Sequence, residues 1–375
     1  MSTNPPFTHL GDMPIEKFLK EFWQKKPLFI KNALPEVPQI EPEELAGYAL
    51  EEEIESRILI EASKGKEPLK SDWKLVHGPM TESSFSELPD THWTLLVQAV
   101  DQLNPNINQL LNRFRFLPNW RLDDIMVSYA TDQGSVGPHF DYYDVFLIQA
   151  SGEREWSLGQ TCNSQSPMRS DTDCKILRQF DKQTEFLAQP GDILYIPPQL
   201  AHWGIAKGNC MTYSVGFRAP SHSDILLDLT QELASQSNED ERYQDPDLST
   251  RTNPGLIDQT DLARVKEALE SLVSDQAALE HWFGRYMTQE KRETLCFDLQ
   301  SSDAHNHLRI APRARVAYIQ GDSQDGSSSL FVNGEQFQAS THFCETLCSY
   351  SLIDPENFPD DSELINQLVD SDLLL

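Results

Sequence analysis

Basic residues are scarce in this chain. Its 375 residues hold 30 Lys+Arg against 59 Asp+Glu, a formal net charge of −29. A surface of that sign repels phosphate backbones, so direct nucleic-acid binding is not expected. Basic proteins are the expected partners, drawn in by charge. No apolar run approaches the roughly 20 residues that a membrane-spanning helix needs, so no membrane span is expected. The segment Met1-Ser2-Thr3-Asn4-Pro5-Pro6 has neither a basic stretch nor an apolar core, which argues against a secretory signal. The six cysteines, at 162, 174, 210, 296, 344 and 348, include no CxxC pair. Cys344 and Cys348 can share a helix face, but no histidine lies at finger spacing, so zinc ligation is not expected. Free thiols in a reducing cytoplasm fit better. Internal repeats are absent as well.

What the chain does have is His139-Phe140-Asp141, followed at a distance by His202. Two imidazoles and a carboxylate can occupy one face of an octahedron and leave the other positions open, which suits non-haem Fe(II) oxygen chemistry. Ligand identity alone also permits Mn, Ni or Zn. Side chains at i and i+2 of a strand share a face, so a strand places His139 and Asp141 on one ion. A second triplet, His222-Ser223-Asp224 with His281 further on, is the internal control. It follows Pro220 and opens the amphipathic run Ile225–Leu233, a capped helix by pattern, where residues two apart diverge.

The surroundings of the first triplet are strand-like. Tyr142–Gln149 is rich in β-branched and aromatic residues, Ala150–Glu153 reads as a turn, and Arg154–Leu158 as the returning strand. Pro190-Gly191-Asp192 turns into Ile193–Ile196, stopped by Pro197-Pro198, with His202 expected on the rim beyond. Met211–Phe217 is a further strand. Before this region, from Ile15 to about Asn112, helical patterns dominate: Ile15–Trp23, Pro42–Ala46 and a run beginning near Trp93. Lys25–Ile30 reads as a short strand feeding the first sheet. Many short strands, with His-x-Asp on one and a late His near another, predict a double-stranded β-helix, a small jelly roll whose mouth holds a metal.

The length suggests two or three domains. After Pro220, amphipathic helices at about 223–237 and 260–280 flank the polar segment Ser237–Thr252 and read as an antiparallel pair, a face suited to a two-fold homodimer. From His281, helices mix with a hairpin built from Arg313–Ile319 and Ser329–Val332, with Asn333-Gly334 a tight-turn signal. That order resembles a winged helix. Residues 281–375 carry 6 Lys+Arg against 15 Asp+Glu, so a protein-contact or scaffold module is the reading rather than a DNA reader.

Gly137–Phe146, Gly152–Trp156, Pro190–Pro198 through His202, and Tyr213–Pro220 resemble the bacterial ribosomal oxygenases, members of the JmjC-type 2-oxoglutarate dioxygenases. The match is dense over about 120–220. The resemblance implies an α+β protein with three parts: a JmjC/cupin-like jelly-roll domain with N-terminal helices (1–220), a helical dimerisation segment (221–280) and a winged-helix-like module (281–375). It implies Fe(II) held by His139, Asp141 and His202, with 2-oxoglutarate and O₂ as cosubstrates. It also implies hydroxylation of an arginine β-carbon in a basic ribosomal protein, L-sixteen of the large subunit. By position, Arg154 binds the distal carboxylate of 2-oxoglutarate, and a guanidinium fork matches that carboxylate as a lysine does not.

One position departs from the family. Ala130 stands where relatives offer a serine hydroxyl, and Ser128, one pleat away on the same face, is the residue that would have to compensate. A neutral hydrogen bond is worth about 0.5–1.5 kcal/mol, so its loss weakens binding up to roughly tenfold. Positions resembling Asp124, Met126, Tyr143 and Ser214 line the arginine site in the family; a carboxylate suits a guanidinium and a tyrosine can stack on it. The competing readings are a histidyl hydroxylase or lysyl demethylase of the same family, and a non-catalytic metal-binding cupin scaffold that docks basic ribosomal proteins.

Overall fold

The computed structural model describes residues 5–61, 73–236, 240, 242–290, 307–321 and 326–375. Cys296 and part of the expected polar segment 237–252 lie outside them. A two-residue hairpin, β1 (His9–Leu10) and β2 (Met13–Pro14), leads into α1 (Ile15–Glu21), β3 (Leu28–Ile30) and α2 (Pro42–Tyr48). Then come β4 (Ser56–Glu61), β5 (Trp73–His77), α3 (Glu82–Ser86), β6 (Trp93–Val97) and α4 (Pro105–Asn112). The central strands are β7 (Leu122–Ala130), β8 (Val145–Thr161), β9 (Thr184–Ala188), β10 (Ile193–Ile196) and β11 (Leu200–Phe217). They join in one antiparallel sheet ordered β3-β10-β8-β11-β7-β6-β4-β5, with β9 added on β8.

The two long strands make this sheet a jelly roll. The C-terminal half of β11 pairs with β7 and with the start of β8, while its N-terminal half pairs with the end of β8. The register shifts between Lys207 and Met211, opposite Gly152. Gly152 (φ +62) and Gly208 (φ +73) take the left-handed backbone that a β-carbon disfavours, and at Gly152 a Cβ would meet Asn209 O at 2.2 Å. The expected turn at Ala150–Glu153 is therefore a bulge within one continuous strand. Periodicity in a single strand does not distinguish a bulge from a hairpin, because both interrupt alternation.

One face of the sheet is packed. Phe18, Phe114, Phe146, Tyr195, Tyr213 and Phe217 are fully buried there between the strands and the N-terminal helices. Phe18 meets Tyr195 edge-on at 4.9 Å between centroids. Each such side chain contributes about 1.5–3 kcal/mol by leaving water. α4 seats Ile107, Leu110 and Leu111 on this core; Asn104 caps it by accepting from the Asn106 and Ile107 N–H groups, with Pro105 in the first turn. The opposite face is left to line the mouth.

Three other expectations change. The run beginning near Trp93 is strand β6 and not a helix, and β4 and β5 also occupy the stretch read as helical. The expected 260–280 helix is broken: α6 (Gln259–Val273) ends and α7 (Gln276–Thr288) starts at a new cap, Asp275, which accepts from Ala277 and Ala278 N–H. α5 (His222–Gln236) bonds to α7, with Trp282 Nε1 donating to Asp228 and an Arg285–Glu232 ion pair. Beyond α7, β12 (Val316–Gln320), β13 (Ser327–Val332) and β14 (Glu335–Ser340) form an antiparallel sheet backed by α8 (Thr341–Cys348) and α9 (Ser362–Asp370) around a separate apolar cluster. Asn333 and Gly334, both at positive φ, make the β13–β14 turn as the sequence signalled. Cys344 and Cys348 both lie in α8, and burial pushes each thiol up to about 12. Among the described residues no helix is long and apolar enough to cross a membrane.

Candidate active site

His139 and Asp141 are not on a regular strand. They lie on the extended segment between β7 and β8, and His139 joins the sheet through an isolated antiparallel bridge to His202. The two residues exchange backbone bonds, His139 N–H to His202 O at 3.0 Å and His202 N–H to His139 O at 2.8 Å. The bridge sets the two imidazoles side by side, 4.2 Å between ring centroids. His202 sits within β11 and is 2% exposed, so it is not on a rim beyond the 193–196 strand as expected. β11 begins two residues after Pro198, because the proline pair ends β10 without preventing a new strand.

The three side chains converge. Asp141 Oδ2 lies 3.9 Å from His139 Nε2 and 3.7 Å from His202 Nε2. Each imidazole is tethered through its other nitrogen, His139 Nδ1 at 2.9 Å from Gly137 O and His202 Nδ1 at 3.0 Å from Leu200 O. With those carbonyls as acceptors, Nδ1 carries the proton and Nε2 presents its lone pair to the shared space. Burial, followed by the neighbouring His139, pushes the His202 pKa down to about 4, so His202 is neutral and able to ligate at ordinary pH. Among the described residues this is the one group of three His, Cys, Asp or Glu side chains placed to hold a metal ion. The second triplet behaves as the sequence pattern required: Ser221 and Asp224 bond to each other at the start of α5.

Asp144 anchors the ligand segment. It is fully buried, accepting from Tyr195 Oη at 2.7 Å and Gln24 Nε2 at 2.9 Å, with Arg121 Nη2 at 3.2 Å. Burial raises its pKa while these donors oppose the rise.

Arg154, Trp156 and Leu158 alternate on one face of β8, paired with Ala206, Gly204 and His202 of β11. Trp156 stands between the two functional groups: its ring is 6.1 Å from that of His202 and 5.6 Å from the Arg154 guanidinium carbon. It fits because Gly204 has no side chain; a Cβ there would come within 2.7 Å of the indole. Arg154 is 3% exposed, and its Nε and Nη2 have no hydrogen-bond partner. A buried guanidinium with free donors is costly alone and complementary to a dicarboxylic acid. The residues present thus fit both a metal and a 2-oxo acid carboxylate.

Ala130 is fully buried in an apolar patch with Ala206 and Cys210. The Ser128 hydroxyl, one pleat away, donates to Thr212 O at 3.1 Å. The even face of β7 does hold Asp124, Met126, Ser128 and Ala130 together, with Ser214 of β11 directly opposite Met126. Asp124 is 6% exposed and one of its oxygens accepts the Ala99 N–H. Tyr143, 42% exposed, lies near both carboxylates; burial of its hydroxyl end and the charges of Asp141 and Asp124 push its pKa well above the usual phenol value. Arg57 of β4 joins this face, its Nη2 3.9 Å from Met126 Sδ. It went unnoticed in the sequence because its stretch read as helical, although Ser56–Glu61 holds the β-branched pair that marks a strand.

The family description JmjC domain matches residues 109–225. Among curated proteins, the chain is similar to "Ribosomal protein uL16 3-hydroxylase" of Escherichia coli (strain K12), 36% identical over 277 residues, 74% of this chain and 72% of that one. It is also similar to "Probable ribosomal oxygenase" of Haemophilus influenzae, 40% identical over 239 residues, 62% of this chain. That match spans 55% of the Haemophilus protein, about half its length. A solved structure of an Escherichia coli ribosomal oxygenase in complex with cobalt and 2-oxoglutarate is similar with a TM-score of 0.82 at 30% identity, covering 98% of this chain and 99% of that one.

Proposed function

Because the chain belongs to the JmjC-domain ribosomal oxygenases, which are 2-oxoglutarate-dependent dioxygenases, we propose that it hydroxylates the β-carbon of an arginine in a large-subunit ribosomal protein of the L-sixteen type. The observation that carries this reading is Arg154. A docking scaffold has no use for a buried guanidinium with unpaired donors two pleats from a His–Asp–His cluster, whereas a dicarboxylic cosubstrate pairs with it.

In this reading His139, Asp141 and His202 hold Fe(II), and Arg154 holds the far carboxylate of 2-oxoglutarate. Bound iron with 2-oxoglutarate and O₂ supplies the oxidation, yielding succinate and carbon dioxide and placing one oxygen atom in a C–H bond. The chain's own residues supply geometry. The carbonyls of Gly137 and Leu200 keep both Nε2 atoms aimed inward, and Trp156 and the Ala130–Ala206–Cys210 patch keep water from the cosubstrate. Asp124 and Ser214 receive the target guanidinium between Met126 and Tyr143. A carboxylate there favours a cation over a neutral imidazole, which sets arginine above histidine as the target.

The apolar residues that α5 and α6 leave exposed, Leu226, Leu227, Leu262, Val265 and Leu269, support a two-fold homodimer through residues 221–280. Residues 1–220 form the oxygenase domain, and 281–375 a winged-helix-like module of acidic character suited to protein contact. The net charge of −29 supports a basic protein substrate and no direct nucleic-acid binding, in the cytoplasm. The test is incubation with Fe(II), 2-oxoglutarate and a basic peptide from the L-sixteen protein, reading succinate and peptide mass together. The expected result is one succinate per added oxygen atom on arginine, and neither in His139→Ala. Full turnover by that variant, or peptide binding with no succinate from the native chain, refutes the reading.

A further inference from the structure

Strand β7 is unevenly supported along its length. Its C-terminal half, Val127–Ala130, is paired on both sides, with β6 and with β11. Residues 122–126 have no β6 partner, and on the β11 side the ladder shifts register between Val215 and Phe217, beside Asp124. Side chains take the place of the missing strand. Asp101, buried, accepts the Ile125 N–H at 2.7 Å. Arg315, from the segment entering β12, donates from Nη1 to Leu122 O at 3.0 Å and from Nη2 to Asp123 O at 2.7 Å.

The same guanidinium balances charge. Asp101, Asp123 and Asp124 bring three carboxylates to one strand end. Arg315 Nη2 lies 3.6 Å from Asp123 Oδ1, and Arg218 Nε lies 3.5 Å from the same oxygen. Arg218 is itself held by the carbonyls of Met287 and Gln289 at the end of α7. The contact continues through Asn119 Nδ2 to Cys348 O at 2.6 Å and the Arg115 guanidinium 3.1 Å from the Tyr350 ring centre. Residues from beyond α7 thus grip the jelly roll at the base of β7, and among these contacts Arg315 is the one that bonds to the strand's own backbone.

We propose that Arg315 is a positioning residue for the substrate face: by fixing Leu122 and Asp123 from the C-terminal module, it sets the register of Asp124 and Met126. This rests on the functional reading above, in which those two side chains receive the target arginine. A planar fork reaching two successive carbonyls and a carboxylate is what arginine offers and lysine does not. The C-terminal module therefore takes part in substrate recognition from behind, without touching the substrate. His139 and Asp141 lie on the segment held by Asp144, and His202 and Arg154 lie on the paired stretches of β11 and β8 away from residues 122–126, so cosubstrate binding does not depend on this grip.

The test uses the full chain with Arg315→Ala and Arg315→Lys. The expected result for Arg315→Ala is a KM for the peptide raised roughly tenfold, with kcat and 2-oxoglutarate affinity at the native values. Arg315→Lys is expected between the two. A native KM in Arg315→Ala, or a parallel fall of kcat and 2-oxoglutarate affinity, overturns the proposal; so does a native KM in Arg315→Lys should the alanine variant fail to fold. If the native chain leaves the peptide unmodified, the functional reading fails separately. The grip is then read by hydrogen exchange of the 122–126 amides in whichever variant folds: faster exchange supports it and an unchanged rate overturns it.

Discussion

Replacing Arg154 with methionine is expected to make the ligand-free protein more stable while removing its affinity for 2-oxoglutarate. The guanidinium is 3% exposed, with Nε and Nη2 unpartnered. An unmade bond at a buried polar atom costs about 1–3 kcal/mol. Methionine keeps the apolar stem and removes that cost, at the loss of a cation–π contact with Trp156 of about 0.5–2 kcal/mol. For the two unpartnered atoms together the balance is a gain of about 0–5 kcal/mol, centred at roughly 2–3 and in line with apolar replacement of other buried charges. At roughly 2–4 °C per kcal/mol, the melting temperature rises by several degrees. In the loaded protein the sign reverses. Two hydrogen bonds to a carboxylate, at about 1.5–3 kcal/mol each, are lost, which weakens binding by roughly 10²- to 10⁴-fold. Scanning fluorimetry without ligand gives the first quantity; calorimetric titration of 2-oxoglutarate into Co(II)-loaded protein without oxygen gives the second. A variant that melts below the native protein, or binds 2-oxoglutarate equally well, refutes the assignment of Arg154.

Asp101→Asn is expected to flatten the pH dependence of stability. Burial, then the charge of Asp124, pushes the Asp101 pKa up to about 7. Between about pH 4 and 7 the folded chain keeps a proton that the unfolded chain has released, so this group's stabilisation is complete at low pH and is lost as pH rises through about 7. Asparagine still accepts the Ile125 N–H, and denaturant midpoints from pH 4 to 8 should converge with the native curve only at the acid end; parallel curves defeat the argument. Leu227→Asp with Leu269→Asp is expected to reduce the assembly from two chains to one by light scattering, with the peptide-dependent reaction retained, and an unchanged mass rules out that face as the interface.

The site was legible wherever its signal was local. His139, Asp141, His202 and Arg154 stand in short motifs whose residue types state their chemistry, and Pro190-Gly191-Asp192 and Asn333-Gly334 state their backbone geometry. What escaped depended on pairing partners distant in sequence. The bridge between His139 and His202 does the work assigned to a regular strand, and the bulge at Gly152 was indistinguishable from a turn until β11 was seen alongside. Trp93–Val97 looked helical because its apolar run, buried on both faces, lacks the alternation that marks a half-exposed strand. The 260–280 helix breaks because Asp275 caps a new one, a signal present in the sequence but outweighed by the apolar period. Ser128 stands on β7 with Asp124 and Met126 as predicted, but its bond to Thr212 O depends on β11, a partner distant in sequence.

β3 closes the edge of the central sheet by pairing Leu28, Phe29 and Ile30 with Tyr195, Leu194 and Ile193, and the Asn32 N–H to Asp192 bond beside it spans 160 residues. A ribosome making this chain at roughly 5–20 residues per second presents β3 about 8–30 s before its partner strand emerges. For that interval three consecutive apolar residues of high β propensity wait as an unpaired strand, the kind of segment that recruits other chains. Closure also comes late in the search for the native state, because the entropy of so long a loop must be lost before its contacts form. Nascent-chain protection, more than native stability, is therefore where substitutions at Phe29 are expected to be felt.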